Sequence, residues 1–218
     1  MIKIRGIVLY NIRYKETSAI VYLLTKEGII SYRVLGAFRK KSKVLGATFP
    51  LSLTDVNLSN ASFPSLNNYS VIDGFLEIKN SLHKTIFAES LVDLTKKIKE
   101  SVYYERVYLF FLRSLEYIRS TTNYYLIVSI YYLKMTRIFG INPSFDTEAF
   151  SNDKKSGLLP LKHIVLIKSL YYEPDFVLIK KYENKDFRGI FYSIVNYYSY
   201  LLDFRFTNLK NIKAIEKR

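Results

Sequence analysis

The hydrophobic period of the chain changes once, near residue 80, and this limits what each part can fold into. Before that point apolar residues alternate or gather in short β-branched runs; beyond it they recur every three or four residues. Residues 2–10 alternate from Ile2 and Ile4 onward. Residues 18–25 (SAIVYLLT) and 29–36 (IISYRVLG) give two further strands, and 49–58 and 69–78 give two more after a basic loop. Lys26-Glu27-Gly28 predicts a tight turn with Gly28 at positive φ, and Gly74 predicts a bulge in the last strand. Five short strands at this spacing favour a closed barrel, because closure removes exposed edges. An SH3-like barrel fits the spacing nearly as well; a five-stranded OB-fold β-barrel is the expectation.

From residue 81 the pattern is helical. Residues 81–99 place Leu82, Ile86, Leu91, Leu94 and Ile98 on one stripe, and 104–118 place Val107, Phe110, Phe111, Leu115 and Ile118 on another. A third helix over 123–139 stops at Gly140, with Pro143 beyond it. Residues 146–156 read as a polar surface loop. Helical pattern resumes after Pro160, then over 186–204 (Phe187, Ile190, Phe191, Ile194, Tyr198, Leu201, Leu202), and in a short piece with Leu209, Ile212 and Ile215. The chain therefore reads as α+β with two domains, an OB-fold barrel over 1–80 and an all-α helical domain over 81–218.

The formal net charge is +14 in 218 residues, which favours a polyanionic partner. A Lys-rich composition also follows from AT-rich coding, but that would spread the charge evenly. Instead residues 1–44 hold ten Lys or Arg against only Glu16 and Glu27, so eight of the fourteen excess charges sit in about one fifth of the chain. The densest stretch is Ala37-Phe38-Arg39-Lys40-Lys41-Ser42-Lys43, between the third and fourth strands. Such a loop can follow a phosphate backbone while Phe38 offers a ring for base stacking. Arg13 and Lys15, in the first hairpin loop, would reinforce it if the barrel brings the two loops to one face. With 20 tyrosines in the chain, several of those among the cations must be core or rim residues.

The inventory of catalytic groups is short. There is no cysteine, so disulfides, thiolate nucleophiles and Cys-based zinc sites are excluded. His83 and His163 are too few for a His-rich metal site. Neither GxxxxGK[ST] nor GxGxxG occurs, no spaced triad can be drawn, and the carboxylates are scattered. No metal or cofactor is expected, and a polyanion binder fits better than an enzyme. The N-terminus lacks the unbroken apolar core of a signal peptide, and residues 124–133 are about half the length of a membrane span. A soluble, cytoplasmic, nucleoid-associated protein without membrane contact is the expectation.

The N-terminal motifs resemble those of the RecO family, bacterial mediators of recombinational repair. The resemblance lies in Gly6-Ile7-Val8-Leu9, Tyr14-Lys15-Glu16, Leu23-Leu24-Thr25 with Gly28, Gly36-Ala37 with Lys41-Ser42-Lys43, and Phe49-Pro50. In the helical part, Tyr132-Leu133-Lys134 through Arg137 to Gly140 and Pro143 is similar to the family's helix stop. Many members carry a four-Cys zinc site after it; residues 146–156 hold none, which marks a zinc-free member.

The resemblance implies an OB-fold that binds single- and double-stranded DNA and a helical domain that binds the acidic C-terminal tail of single-strand-binding protein. It also implies annealing of complementary strands coated by that protein and, with RecR, loading of RecA. Arg13, Lys15, Arg33, Phe38, Arg39, Lys40, Lys41 and Lys43 are the expected DNA contacts. Arg113, Arg119, Lys134 and Arg137 are the expected contacts for the tail. The competing reading is a non-enzymatic RNA- or protein-binding scaffold built on the same basic barrel; a hydrolase with a degenerate site has little support.

Overall fold

The computed structural model describes residues 2–98, 103–141, 143, 161–172, 179–182, 184–202 and 206–216. Five strands come first: β1 (Ile2–Tyr14), β2 (Ser18–Leu24), β3 (Ile29–Val34), β4 (Leu53–Leu58) and β5 (Leu66–Asp73). They form one sheet in the order β3-β2-β1-β4-β5. A parallel bridge between Arg33 and Ser65, with the Arg33 N–H donating to the Pro64 carbonyl at 2.9 Å, brings the two ends of the sheet together. This is OB-fold connectivity, which settles the choice against the SH3-like alternative.

One strand serves both halves of the barrel. The first part of β1 pairs with β4 (Ile2 with Leu58 through Ile7 with Leu53), and the second pairs with β2 (Ile7 with Leu24 through Tyr14 with Ser18), with a bulge between Val8 and Tyr10. Gly6 lies where the strand passes from one partner to the other. A Cβ there would stand 2.5 Å from Leu23 Cγ and 2.7 Å from the Leu24 carbonyl oxygen. Since one obstacle is backbone, Gly6→Ala is expected to destabilise the barrel by about 3 kcal/mol, read as a lower midpoint in urea unfolding. An unchanged midpoint would mean that β2 can move aside.

The barrel core follows the period-2 pattern: Ala19, Val21 and Leu23 from β2, Tyr32 and Val34 from β3, and Val56 and Leu58 from β4 close around Val8 and Ala37. A 3-10 turn, Leu45–Thr48, lies between β3 and β4. Asn11 Nδ2 donates to the Thr48 carbonyl at 2.9 Å, tying that turn to β1.

Three local expectations are corrected. Gly28 is not at positive φ. The turn is made instead by Thr25, whose Oγ1 accepts from the N–H groups of Glu27 and Gly28, both at 3.1 Å. Gly74 makes no bulge, because β5 ends at Asp73, whose Oδ1 accepts from the Phe75 N–H at 2.7 Å and turns the chain into the short helix α1 (Leu76–Lys79). The irregularities between β4 and β5 fall at Leu53/Thr54 and Asn57/Leu58. The fourth strand begins at Leu53 rather than residue 49, since Leu51 at φ 59 turns the chain just before it.

The helices that follow are α2 (Leu82–Thr95), α3 (Tyr104–Ser120), α4 (Tyr124–Ile138), α5 (Leu161–Tyr172), α6 (Ile179–Tyr182), α7 (Arg188–Leu202) and α8 (Leu209–Ile215). Ser81 caps α2 by accepting from the Lys84 N–H, and Asn123 caps α4 by accepting from the Leu126 N–H. Gly140, at φ 69, ends α4: its N–H reaches the Arg137 carbonyl and that of Ile141 reaches Thr136, the paired bonds of a glycine-terminated helix. Helix α4 is the centre of this part, buried without a break from Leu126 to Leu133. Buried tyrosine hydroxyls find partners among its neighbours. Tyr131 meets Thr95 Oγ1 at 2.6 Å, Tyr132 donates to the Ser90 carbonyl at 2.9 Å, and Tyr198 donates to the Tyr132 carbonyl.

The residues sort into two compact units. The chain up to Asn80 groups with α3 up to Arg113; Ser81–Ile98 groups with the chain from Ser114 onward. The grouping of the first half of α3 with the barrel residues is not legible in the hydrophobic pattern. Its amphipathic stripe says that one face is buried without saying against what. The 146–156 loop, where the missing zinc site was placed, lies outside the described residues.

Candidate nucleic-acid interface

Two loops of the barrel meet. The first joins β1 to β2, and the second leaves β3. The Phe38 N–H donates to the Thr17 carbonyl at 2.8 Å, and the Gly36 N–H to Ser18 Oγ at 3.2 Å. Gly36 makes this return possible, for it sits at φ 67, where a side chain would be strained. Arg13, at the end of β1, donates through Nε and Nη2 to the Glu16 carbonyl at 3.3 and 3.1 Å, and its guanidinium lies 5.4 Å from the centre of the Phe38 ring. Lys15 holds φ 55 in the turn itself, with its ammonium 5.5 Å from the Tyr14 ring. Arg39 opens a turn in which its N–H reaches the Gly36 carbonyl and the Ser42 N–H returns to the Arg39 carbonyl. Arg39, Lys40, Lys41 and Lys43 are exposed, and among the described residues no carboxylate pairs with them.

Arg33 stands apart from that group. It is only partly exposed, donates from Nη2 to the Phe63 carbonyl at 3.0 Å, and lies 5.1 Å from the Phe63 ring centre. Its side chain thus fastens the β4–β5 connection at the point where the barrel closes.

Three more of the ten N-terminal cations are paired with acids distant in sequence. Asp55 accepts from Arg5 Nε at 2.7 Å and has Lys3 Nζ at 3.6 Å; the Arg5 bond holds its carboxyl below the usual range. Lys26 meets Glu105 at 2.9 Å. The charge left for a polyanion is accordingly concentrated at the two joined loops, more narrowly than the residue count suggests.

In the helical unit, Lys134 Nζ and Arg137 Nη2 both donate to the Tyr171 carbonyl, at 3.1 and 3.2 Å, and the Arg137 guanidinium stacks 4.4 Å from the Tyr171 ring centre. These cations sit on the C-terminal end of α5, where the helix dipole favours positive charge. Arg119 is partly exposed in the same unit, and its carbonyl receives Lys84 Nζ; Arg113 is exposed and groups with the barrel. The structure therefore brings together two of the four expected tail contacts. It also shows a carboxylate already held: Glu216 takes the hydroxyls of Tyr125 and Tyr192 and lies 3.4 Å from Arg188 Nε. No spacing in the sequence announces this group, which comes from α4, α7 and the segment after α8.

Among the described residues no group of three or more His, Asp or Glu could hold a metal, and no helix is long and apolar enough to cross a membrane.

An OB-fold with two joined, predominantly cationic loops, followed by a helical region, defines the class as an OB-fold protein of α+β type. Residues 1–75 match the family described as recombination protein O N terminal, and residues 79–158 the one described as recombination protein O C terminal. Among similar curated proteins, each named DNA repair protein RecO, that of Halalkalibacterium halodurans is 29% identical over 148 residues, 66% of this chain and 58% of the relative. That of Bacillus pumilus is 31% identical over 150 residues (67% and 58%), and that of Streptococcus suis 26% over 153 (68% and 58%). The chain belongs to the RecO family; the matched stretch covers 58% of the length of each of these relatives.

Proposed function

We propose that the chain is a non-enzymatic recombination mediator in DNA repair, which binds single- and double-stranded DNA at the barrel and anneals complementary strands. The observation that carries this reading is the junction of the two cationic loops through Phe38 and Thr17, which puts Arg13, Lys15, Arg39, Lys40, Lys41 and Lys43 in one region where, among the described residues, no ion pair engages them. Such a surface neutralises phosphates on two strands at once, lowers their repulsion and leaves base pairing to drive annealing. No covalent step is needed. In this reading Arg33 has a structural share as well, through Phe63.

The same reading gives the helical unit the acidic C-terminal tail of single-strand-binding protein as ligand and RecR as a partner in loading RecA. Lys134 and Arg137 support the tail site, since both already point donors at one oxygen, and a guanidinium with five N–H groups can serve a carboxylate as well. Arg119 and Arg113 are the further cations.

A strand-annealing assay tests the reading, with complementary oligonucleotides either bare or coated by single-strand-binding protein. Acceleration without nucleotide on both substrates is the expected result. The Lys134→Glu, Arg137→Glu double variant should lose acceleration on coated strands alone while keeping its circular dichroism. A folded protein that accelerates neither reaction and binds structured RNA or an acidic protein instead would identify the scaffold.

A further inference from the structure

Phe38 is an apolar ring held at the surface among cations. Its relative exposure is 36%, in a loop that also carries Arg39, Lys40, Lys41 and Lys43. Its neighbour Ala37 is fully buried in the barrel core, while the Phe38 ring stays at the surface. The ring is positioned from two sides. Its own N–H is fixed to Thr17, and the Arg13 guanidinium that lies over it is fixed by two bonds to the Glu16 carbonyl. A planar cation on a ring face draws on the negative quadrupole of that face and makes a rigid, two-layer stack. A second ring, Tyr14, is half-exposed on the same turn with Lys15 beside it.

We infer that Phe38, backed by Arg13 and with Tyr14 on the adjoining turn, is a stacking site for unpaired bases, so that this surface distinguishes single strands from duplex. The inference rests on the DNA-binding reading above and adds the strand class to it. The physical basis is a division of labour between charge and ring. Phosphates are present in both forms of DNA, and the loop cations attract both. Base faces are available only in a single strand, because in a duplex they are covered by neighbouring pairs. Stacking on an aromatic ring tolerates any base sequence. On this account Arg13 positions the ring in addition to its share in the charge of the loops, and an unpaired base lies on the ring face opposite the guanidinium. Bases displayed in this way are unstacked from their neighbours and open for pairing with a second strand.

The chain contains no tryptophan, which permits a direct test in the full protein. Phe38→Trp places a single indole at the site. Its fluorescence should be quenched by a mixed-sequence single strand and unchanged by a blunt duplex of the same sequence. In anisotropy titrations Phe38→Ala should weaken single-strand binding about tenfold, change duplex binding by less than about twofold, and leave the salt slope as it was, since no charge is removed. Arg13→Lys, which keeps the charge and loses the planar fork, should fall on the single-strand side in the same way. Equal losses on both DNA forms, or no loss on either, would overturn the stacking site while leaving DNA binding itself intact. A wild-type protein that binds neither form would instead overturn the DNA-binding reading.

Discussion

Replacing Arg39, Lys40 and Lys41 together by Glu is expected to weaken DNA binding on the order of 100-fold near physiological salt and to lower the salt slope by about three. The loss should be similar for single strands and duplex. Each of these side chains is exposed, and the loop is held by hydrogen bonds of its backbone and of other side chains: Arg39 N–H to Gly36, Ser42 N–H to Arg39, Phe38 N–H to Thr17, Gly36 N–H to Ser18 Oγ. Charge reversal therefore changes the field without removing what holds the loop. Affinity measured at several salt concentrations checks both the size and the slope. An unchanged slope would move the phosphate track elsewhere on the molecule. Arg33→Glu provides the contrast, because that side chain is bonded to Phe63. Its first effect should be a lower unfolding temperature, with DNA affinity following the fold.

The second large effect is alkaline unfolding of the helices. Tyr131, Tyr132 and Tyr198 are each fully buried, and burial raises all three phenols above their ordinary value near 10. Below that value both folded and unfolded states keep the protons. Above it the unfolded chain releases them while the folded protein does not, so stability falls as pH rises toward the folded pKa values. Each such tyrosine contributes a loss of about 1.4 kcal/mol per pH unit, and three together about 4. A domain with a typical stability of about 5–15 kcal/mol would then lose its helices within a few pH units above 10. Tyrosinate absorbance and helical circular dichroism followed against pH should change together, steeply. Tyrosinate appearing gradually from pH 10 with helicity intact would mean that water reaches these hydroxyls. Tyr131→Phe should move the transition to higher pH at a cost of about 1 kcal/mol at neutral pH. The loss stays small because the Thr95 hydroxyl still donates to the Leu91 carbonyl.

Much of the architecture is legible in residue order because the signals are local. Period 2 through Ala19, Val21 and Leu23, the change to a helical period near residue 80 and Gly140 as a helix stop act over a few residues, and each is found where the pattern puts it. The errors are local competitions with more than one solution. A β-turn can be closed by a glycine at positive φ or by a threonine hydroxyl, and at Thr25 the hydroxyl does it. A glycine after a strand can bulge it or leave it, and the carboxylate of Asp73 decides for leaving.

Residue order suffices for the class of fold, the loops that carry charge and the absence of thiol chemistry, since these depend on composition and on neighbours along the chain. Which of those charges are engaged within the protein depends on contacts between segments far apart in the chain. Asp55 pairs with Lys3 and Arg5, and Glu105 with Lys26, across separations of about 50 to 80 residues, and Arg33 is bonded to the Phe63 carbonyl. The meeting of Phe38 with Thr17 and Arg13 belongs to the same level. Barrel closure fixes which loops share an end of the sheet, and no periodicity along the chain encodes which ring then lies under which cation.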